Sequence, residues 1–135
     1  MQDRPTIDEL LSAVRRFLAD EVVPATEGRL QFLARVAANA VDLVRRELAS
    51  ETAHAEREWR GLDGLLGAEP MPRGRDELAA AVRRRNEALC EKIRAGAYDA
   101  DGPERTALLA HLRTVVHDKL EVTNRAYLEA DARRG

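Results

Sequence analysis

The sequence predicts an all-α protein, a four-helix up-down bundle that forms a single domain over residues 1–135. Apolar residues recur every three to four positions through four segments, as on amphipathic helices. Glycine and proline cluster between these segments, and no segment shows the apolar–polar alternation of a half-buried strand. The simplest connection of four such helices is up-down-up-down. The predicted helices cover about residues 6–22, 29–60, 75–95 and 103–130.

The first predicted helix begins at a capping box. The Thr6 hydroxyl can accept the Glu9 N–H, while the Glu9 carboxylate accepts the Thr6 N–H. Pro24 ends the helix, because proline disfavours the helical conformation of the residue before it. One face carries the apolar residues, and we expect it to pack inward; these residues are Ile7, Leu10, Leu11, Val14, Phe17 and Leu18.

The second predicted helix is the longest and follows a turn over residues 24–28. Its main apolar stripe is Leu30, Leu33, Ala37, Val41, Val44 and Leu48, continued by Ala55 and Trp59. A second ridge of Phe32, Val36, Ala40 and Leu43 widens the stripe to about half the circumference, more than one neighbouring helix covers. Gly61 and Gly64 then weaken the helix, and a Pro/Gly loop is predicted near residues 67–74.

The last two predicted helices have clear boundaries. The third carries a stripe of Leu78, Val82, Leu89 and Ile93, interrupted at Arg85 and Asn86, and Gly96 is its C-terminal stop. The fourth opens with Pro103 at an early helical position, where the missing N–H has no cost. Its expected inner face is Leu108, Leu109, Leu112, Val115, Val116, Leu120, Thr123 and Tyr127.

Composition excludes several classes of function. The net charge is −2 and the basic residues are spread along the chain, so we expect no nucleic acid partner. Cys90 is the only cysteine, which fits a reducing compartment, and we expect it to be a small packing residue. Charged residues break every apolar stretch, so no membrane span or leader peptide is predicted. We expect a cytoplasmic protein.

A search for catalytic or cofactor-binding motifs is negative. Glu51 and His54 have the Glu-x-x-His spacing of di-iron bundles, but that architecture needs a second pair, which the sequence lacks. His111 and His117 are six residues apart on one helix and point in different directions. The sequence has no phosphate-binding glycine loop, and neither serine lies in a nucleophile elbow. We therefore predict no metal, no cofactor and no enzymatic activity.

Four polar residues interrupt apolar stripes and are predicted to be buried or to contact a ligand. They are Asn39, Glu47, Asn86 and Lys119. In one interpretation Lys119 extends to solvent or pairs with a carboxylate such as Glu47, and the asparagines fix the register of the helices. In the other, Lys119 faces a ligand phosphate or a carboxylate of a partner protein.

Seven stretches carry a family resemblance: 3–6, 22–24, 28–32, 35–39, 45–48, 89–96 and 119–128. They are similar to a family of small bacterial helical proteins of unknown function. Members are encoded beside aminoglycoside-phosphotransferase-like kinases and acyl-CoA dehydrogenases. The chain resembles a small protein that a kinase of 4-hydroxyacyl-CoA requires in levulinate catabolism. Relatives tend to have proline after the asparagine near the C-terminus, whereas this chain has Arg125, so we expect its last helix to run further.

The resemblance implies an accessory subunit of a kinase, with ATP, magnesium and the catalytic residues on that partner. If the partner is a kinase, we expect the second ridge to contact it through Phe32, Val36 and Leu43, with Arg35 and Arg46 at the rim. Alternatively, the chain's own helices cover this ridge. Two other functions remain open: a self-associating bundle that forms a homo-oligomer, and a module that binds an acyl chain or CoA ester with Lys119 or Arg85 at the mouth.

Overall fold

The computed structural model describes residues 4–133, and the prediction of an all-α protein is confirmed for that range, which contains no strand. Asp3, in the first stretch of resemblance, and both ends of the predicted domain lie outside the described residues. No helix in the described range is long and apolar enough to cross a membrane. The helices are α1 (Ile7–Arg16), which continues as a π-helix over Phe17–Val22, α2 (Gly28–Leu66), α3 (Arg75–Arg94), α4 (Pro103–Thr123) and α5 (Arg125–Ala132).

The contacts divide the described residues into two compact units, one up to Ala49 and one from Ser50. The first unit is a helical hairpin of α1, its π-helical end and the first part of α2. The second unit contains the rest of α2 with α3, α4 and α5.

The hairpin begins and turns as the sequence predicts. The Glu9 N–H donates to Thr6 Oγ1 (3.2 Å) and the Thr6 N–H donates to Glu9 Oε2 (2.7 Å), which completes the capping box. Before Pro24 the chain widens into the π-helix, which was not predicted. Side chains of the turn satisfy the carbonyl groups there, because Thr26 Oγ1 donates to the Val22 carbonyl (2.7 Å) and Gln31 Nε2 donates to the Val23 carbonyl (3.0 Å).

The most buried hydrophobic residues of the hairpin are small. Ala34 and Ala38 are the buried hydrophobic residues in the described part of this unit. Two ion pairs join the two helices, Arg15 Nε to Asp42 Oδ2 (3.1 Å) and Arg45 Nε to Asp8 Oδ1 (2.8 Å). The larger apolar side chains are at most half-buried, as Leu11, Leu18 and Val41 are.

The second unit has a hydrophobic core where α2, α3 and α4 meet. Its members are Trp59, Leu62, Leu78, Ala81, Val82, Leu89 and Leu108. α2 ends at Leu66, six residues later than predicted, because Leu62 is fully buried and Gly61 is packed against the ring of His111. The loop after α2 begins at Gly67, which has a φ of +98°, and the predicted loop over 67–74 is confirmed.

α3 buries most of its predicted stripe and ends at its predicted stop. Ile93 is an exception, since 38% of it is exposed. Gly96 has a φ of +81° and its N–H donates to the Ile93 carbonyl, while the Ala97 N–H donates to the Lys92 carbonyl. This pair of hydrogen bonds is a Schellman motif, which satisfies the last carbonyl groups of α3. Cys90, which we expected to be a packing residue, is exposed.

α4 is rotated relative to the inner face that the sequence predicts. Its buried residues are Leu108, His111, Asp118 and Val122, and its exposed apolar residues are Leu109, Leu112 and Val116. α4 carries apolar residues on two sides, so the hydrophobic pattern alone does not select one. Two polar residues determine which side of α4 faces the core, because His111 packs on Gly61 and Asp118 pairs with Arg57.

The last predicted helix is divided at Asn124. α4 ends at Thr123, and the Asn124 side chain accepts the Tyr127 N–H (3.2 Å) as the N-cap of α5. The expectation of one helix over 103–130 that runs further past Arg125 was therefore wrong. Asparagine is among the best N-cap residues, because its short side chain reaches the free N–H groups of a new helix.

Stability is expected to fall in acid because of His111. Burial lowers the pKa of this imidazole below its ordinary value of 6.5, against the opposing effect of the Glu58 carboxylate. Since the unfolded chain then binds the proton more readily, the free energy of unfolding decreases as the pH falls below 6.5. Urea denaturation at pH 7.5 and pH 5.5 measures this loss, and His111→Gln should reduce it. An equal loss in the variant would contradict a role for His111.

Candidate protein-binding surface

Most of the large apolar residues of the hairpin are exposed rather than packed inward, which corrects part of the expectation for both helices. Leu11, Leu18 and Val41, which belong to the predicted stripes, are half-buried. The first helix and its π-helical end contribute four of the exposed residues, and the main stripe of α2 contributes the other four. All eight are 41–60% exposed: Ile7, Leu10, Val14, Phe17, Leu30, Leu33, Val44 and Leu48. We call this set the hairpin face.

Helical periodicity places these eight residues on the same side of the hairpin. In both helices they lie on the flank opposite the ion pairs of Asp42 with Arg15 and of Asp8 with Arg45. The two flanks therefore differ in character, one ionic and the other apolar. A contiguous exposed apolar area on a small protein is typical of a surface that another protein covers.

The second ridge of α2 extends the hairpin face around the helix. Phe32 is 63% exposed, Val36 47% and Leu43 37%, so the first helix of the hairpin does not cover this ridge. Arg35 is exposed beside the ridge, and Arg46 is half-buried. The five residues predicted to bind a partner thus lie along one segment of α2.

The four polar residues predicted to be buried have different environments. Asn39, Glu47 and Lys119 are exposed rather than buried. Asn86 is half-buried, and its Nδ2 donates to Glu58 Oε1 (2.6 Å), which joins α3 to α2. Lys119 is exposed because α4 is rotated from the predicted inner face.

An apolar groove of about 410 Å³ lies between α4 and α5 in the second unit. Neither Lys119 nor Arg85, the residues expected at the mouth of an apolar cavity, lines it. The rim carries Arg113 and His117 on α4 and Asp131 on α5. Its apolar lining is formed by Leu109, Leu112, Val116, Leu120, Tyr127 and Leu128.

Arg85 is a buried cation in the core of the second unit, with only 3% of it exposed. Its guanidinium carbon lies 4.4 Å from the centroid of the Trp59 ring. Nη1 donates to Asp63 Oδ1 (2.6 Å) and Nη2 donates to the Gly67 carbonyl (2.6 Å). Arg85 therefore neutralises the dipole at the C-terminal end of α2 and ties that end to α3. This role is structural.

A second polar cluster joins α2 to α4. His54 Nε2 donates to Glu121 Oε2 (3.3 Å), and Arg57 forms an ion pair with Asp118. The ligand atoms of His54, Asp118 and Glu121 lie within 4.8 Å of one another. The sequence search missed this cluster because it paired His54 with Glu51, which instead binds Arg75. The available signal was the Asp-x-x-Glu spacing over 118–121, which places two carboxylates on one face of α4.

Comparison with known proteins gives one family. A family model described as a domain of unknown function (DUF6285) matches residues 24–127. This range begins after the π-helix, so it includes the second ridge of α2, the core of the second unit and most of the groove. The searches of curated proteins and of solved structures gave no match.

Proposed function

The chain belongs to the DUF6285 family, a domain of unknown function, and we propose that it is a non-catalytic interaction subunit of a phosphotransferase-like kinase. The observation that supports protein binding is the exposed hairpin face together with the second ridge of α2. The kinase is the partner implied by the resemblance of the sequence to small helical proteins encoded beside such enzymes.

The composition of this surface suits a protein interface. Interfaces have an apolar centre, with aromatic and arginine residues enriched relative to other surfaces. Phe32, Val36 and Leu43 supply apolar anchors, and Arg35 lies beside them. Fully burying a side chain of this kind contributes about 1.5–3 kcal/mol, so covering the exposed part of one, which is about half of it, contributes about 1 kcal/mol. Covering several such residues together contributes enough free energy to support binding of a partner protein.

In this proposal the kinase carries ATP, magnesium and the catalytic residues. The small subunit contributes a rigid helical surface and no reacting group. Both proteins act in the cytoplasm. Loss of the hairpin surface should therefore remove the complex without changing the folded state of the small subunit.

Co-purification with the kinase encoded beside this chain tests the proposal. Leu43→Glu should abolish capture of the kinase, because it places a charge in the centre of the second ridge. Leu109→Glu is the matched control, since Leu109 is also an exposed leucine but lies in the second unit. Circular dichroism should show the same helicity in both variants.

Two outcomes would contradict the proposal. One is that both variants capture the kinase as well as the unaltered chain does. The other is that the purified chain forms a stable symmetric dimer, seen by light scattering, which Leu43→Glu dissociates while no kinase is captured. That result would favour the self-associating bundle instead.

A second candidate function is binding of an acyl chain or acyl-CoA in the α4–α5 groove. The supporting observation is the apolar lining of the groove, with Arg113 and His117 at its rim. Decanoyl-CoA should raise the melting temperature of the chain, whereas CoA alone should not. Leu112→Glu should abolish that shift and Leu43→Glu should retain it. The absence of any shift with decanoyl-CoA would contradict this function.

A further inference from the structure

We propose that His54, Asp118 and Glu121 form a binding site for one divalent transition-metal ion of the Zn²⁺ class. All three residues belong to the second unit, with His54 on α2 and the two carboxylates on α4. The proposal concerns a site separate from the hairpin surface, so it does not depend on the proposed function.

The geometry brings three suitable ligands together. Their ligand atoms lie within 4.8 Å of one another. Zn²⁺ binds imidazole nitrogen and carboxylate oxygen at about 2.0–2.2 Å, so neighbouring ligand atoms in a tetrahedral site are about 3.4 Å apart. His54 Nε2 and Glu121 Oε2 are already 3.3 Å apart, so the adjustment that a bound ion requires falls mainly on Asp118. One imidazole and two carboxylates form a mixed nitrogen–oxygen set that suits Zn²⁺ or Mn²⁺.

The burial of the three side chains gives the site a closed base and an open side. The Asp118 side chain is 7% exposed and lies at the base. The Glu121 side chain is 42% exposed and the His54 side chain 17%, so an ion can enter between them from solvent. Three protein ligands leave the fourth position for water, as in sites that are not purely structural.

Arg57 and one proton compete with the metal. Without metal, the Arg57 guanidinium neutralises Asp118, and the His54 Nε2–H donates to Glu121. Metal binding requires Nε2 to be free of its proton, so the neutral ring must carry the proton on Nδ1. The Arg57 side chain is 48% exposed and can turn toward solvent. An ion of charge +2 then replaces one guanidinium beside two carboxylates.

A bound ion would join α2 to α4 directly. Because the unfolded chain does not hold these three ligands together, binding stabilises the folded unit in proportion to the logarithm of the metal concentration above its Kd. The melting temperature should therefore rise with added Zn²⁺. This readout does not require any knowledge of the protein's activity.

Titration of the full chain with Zn²⁺, and with Co²⁺ for its visible absorption, tests the site. One equivalent should bind. His54→Gln and Glu121→Gln should each weaken binding by about tenfold or more, since even second-shell partners commonly contribute that much. Arg57→Gln should tighten binding, because it removes the competing cation. Glu104→Gln, which alters an exposed carboxylate on the same helix, should bind as the unaltered chain does.

The Arg57→Gln variant distinguishes a metal site from an ion pair that only stabilises the fold. If Arg57 and Asp118 only stabilise the fold, Arg57→Gln lowers the melting temperature and leaves metal binding absent. The proposal would be overturned by that result, by the absence of saturable binding to the unaltered chain, or by equal affinity in the Glu121→Gln variant. Glu121 is partly exposed, so this variant is expected to fold.

Discussion

Replacing Arg85 with alanine is expected to lower the free energy of unfolding by about 3 kcal/mol. The substitution removes the cation from the Trp59 ring and the guanidinium donors from Asp63 and from the Gly67 carbonyl. Asp63 keeps the Glu69 N–H as a donor (3.3 Å). Removal of one partner from a buried ion pair typically costs about 3–5 kcal/mol. The expected loss is at the lower end, because 28% of the Asp63 side chain is exposed and can be hydrated.

Urea denaturation followed by circular dichroism measures this loss. Arg84→Ala is the matched control, since Arg84 is an exposed arginine on the same helix and its replacement should change stability by less than about 0.5 kcal/mol. Arg85→Lys should give an intermediate loss, because an ammonium group cannot bind two acceptors in the planar geometry of the guanidinium. Equal stability of the Arg84 and Arg85 alanine variants would show that the buried network contributes nothing.

Gly61→Ala is expected to destabilise the chain by about 2 kcal/mol, although alanine is the better helix former. A Cβ atom at Gly61 would overlap the His111 ring, and overpacking of this kind costs about 1–3 kcal/mol. Gly64→Ala, three residues further along the same helix, is expected to have the opposite effect on stability. No atom lies within 4 Å of a Cβ there, so the substitution should stabilise the helix by up to about 1 kcal/mol.

A double variant tests the cause of the Gly61 effect. With His111→Ala in the same chain, Gly61→Ala should no longer be destabilising, because the methyl group then occupies the space of the imidazole. Chemical denaturation of the two single variants and the double variant gives the coupling between the positions. If Gly61→Ala costs as much without the imidazole as with it, the overlap is not the cause.

Local signals predicted the start of the first helix and the end of the third. The capping box at Thr6 and the stop at Gly96 are both present, because they depend on hydrogen bonds between residues close in sequence. Only one of the four predicted helices, the last, was divided. Asn124 ends α4 and caps α5, a break that hydrophobic periodicity does not indicate.

Signals that depend on distant residues were not readable from the sequence. The second half of α2 continues through Gly61 because of His111, which is fifty residues away. α4 has apolar residues on two sides, and the choice between them depends on where Arg57 and Gly61 lie on another helix. Hydrophobic periodicity identifies an amphipathic helix, but it does not select between two apolar faces.

The candidate surface was predicted in part. Phe32, Val36 and Leu43 are exposed, as a partner-binding ridge requires, whereas the main stripe and the first helix were expected to be covered. The error has a physical reason. Ala34 and Ala38 are the buried hydrophobic residues in the described part of the hairpin, whereas most of its larger apolar residues are exposed. The inner face was predicted from the spacing of the large apolar residues, and the two alanines contributed little to that prediction.

Trp59 gives the second unit an optical signal of its own. It is the single tryptophan of the chain, and only 1% of it is exposed, next to the Arg85 guanidinium. Its emission should shift to longer wavelength when water reaches the core around it. The hairpin has no tryptophan, whereas circular dichroism records the helices of both units. The separation between a fluorescence curve and a dichroism curve therefore measures how independently the hairpin unfolds.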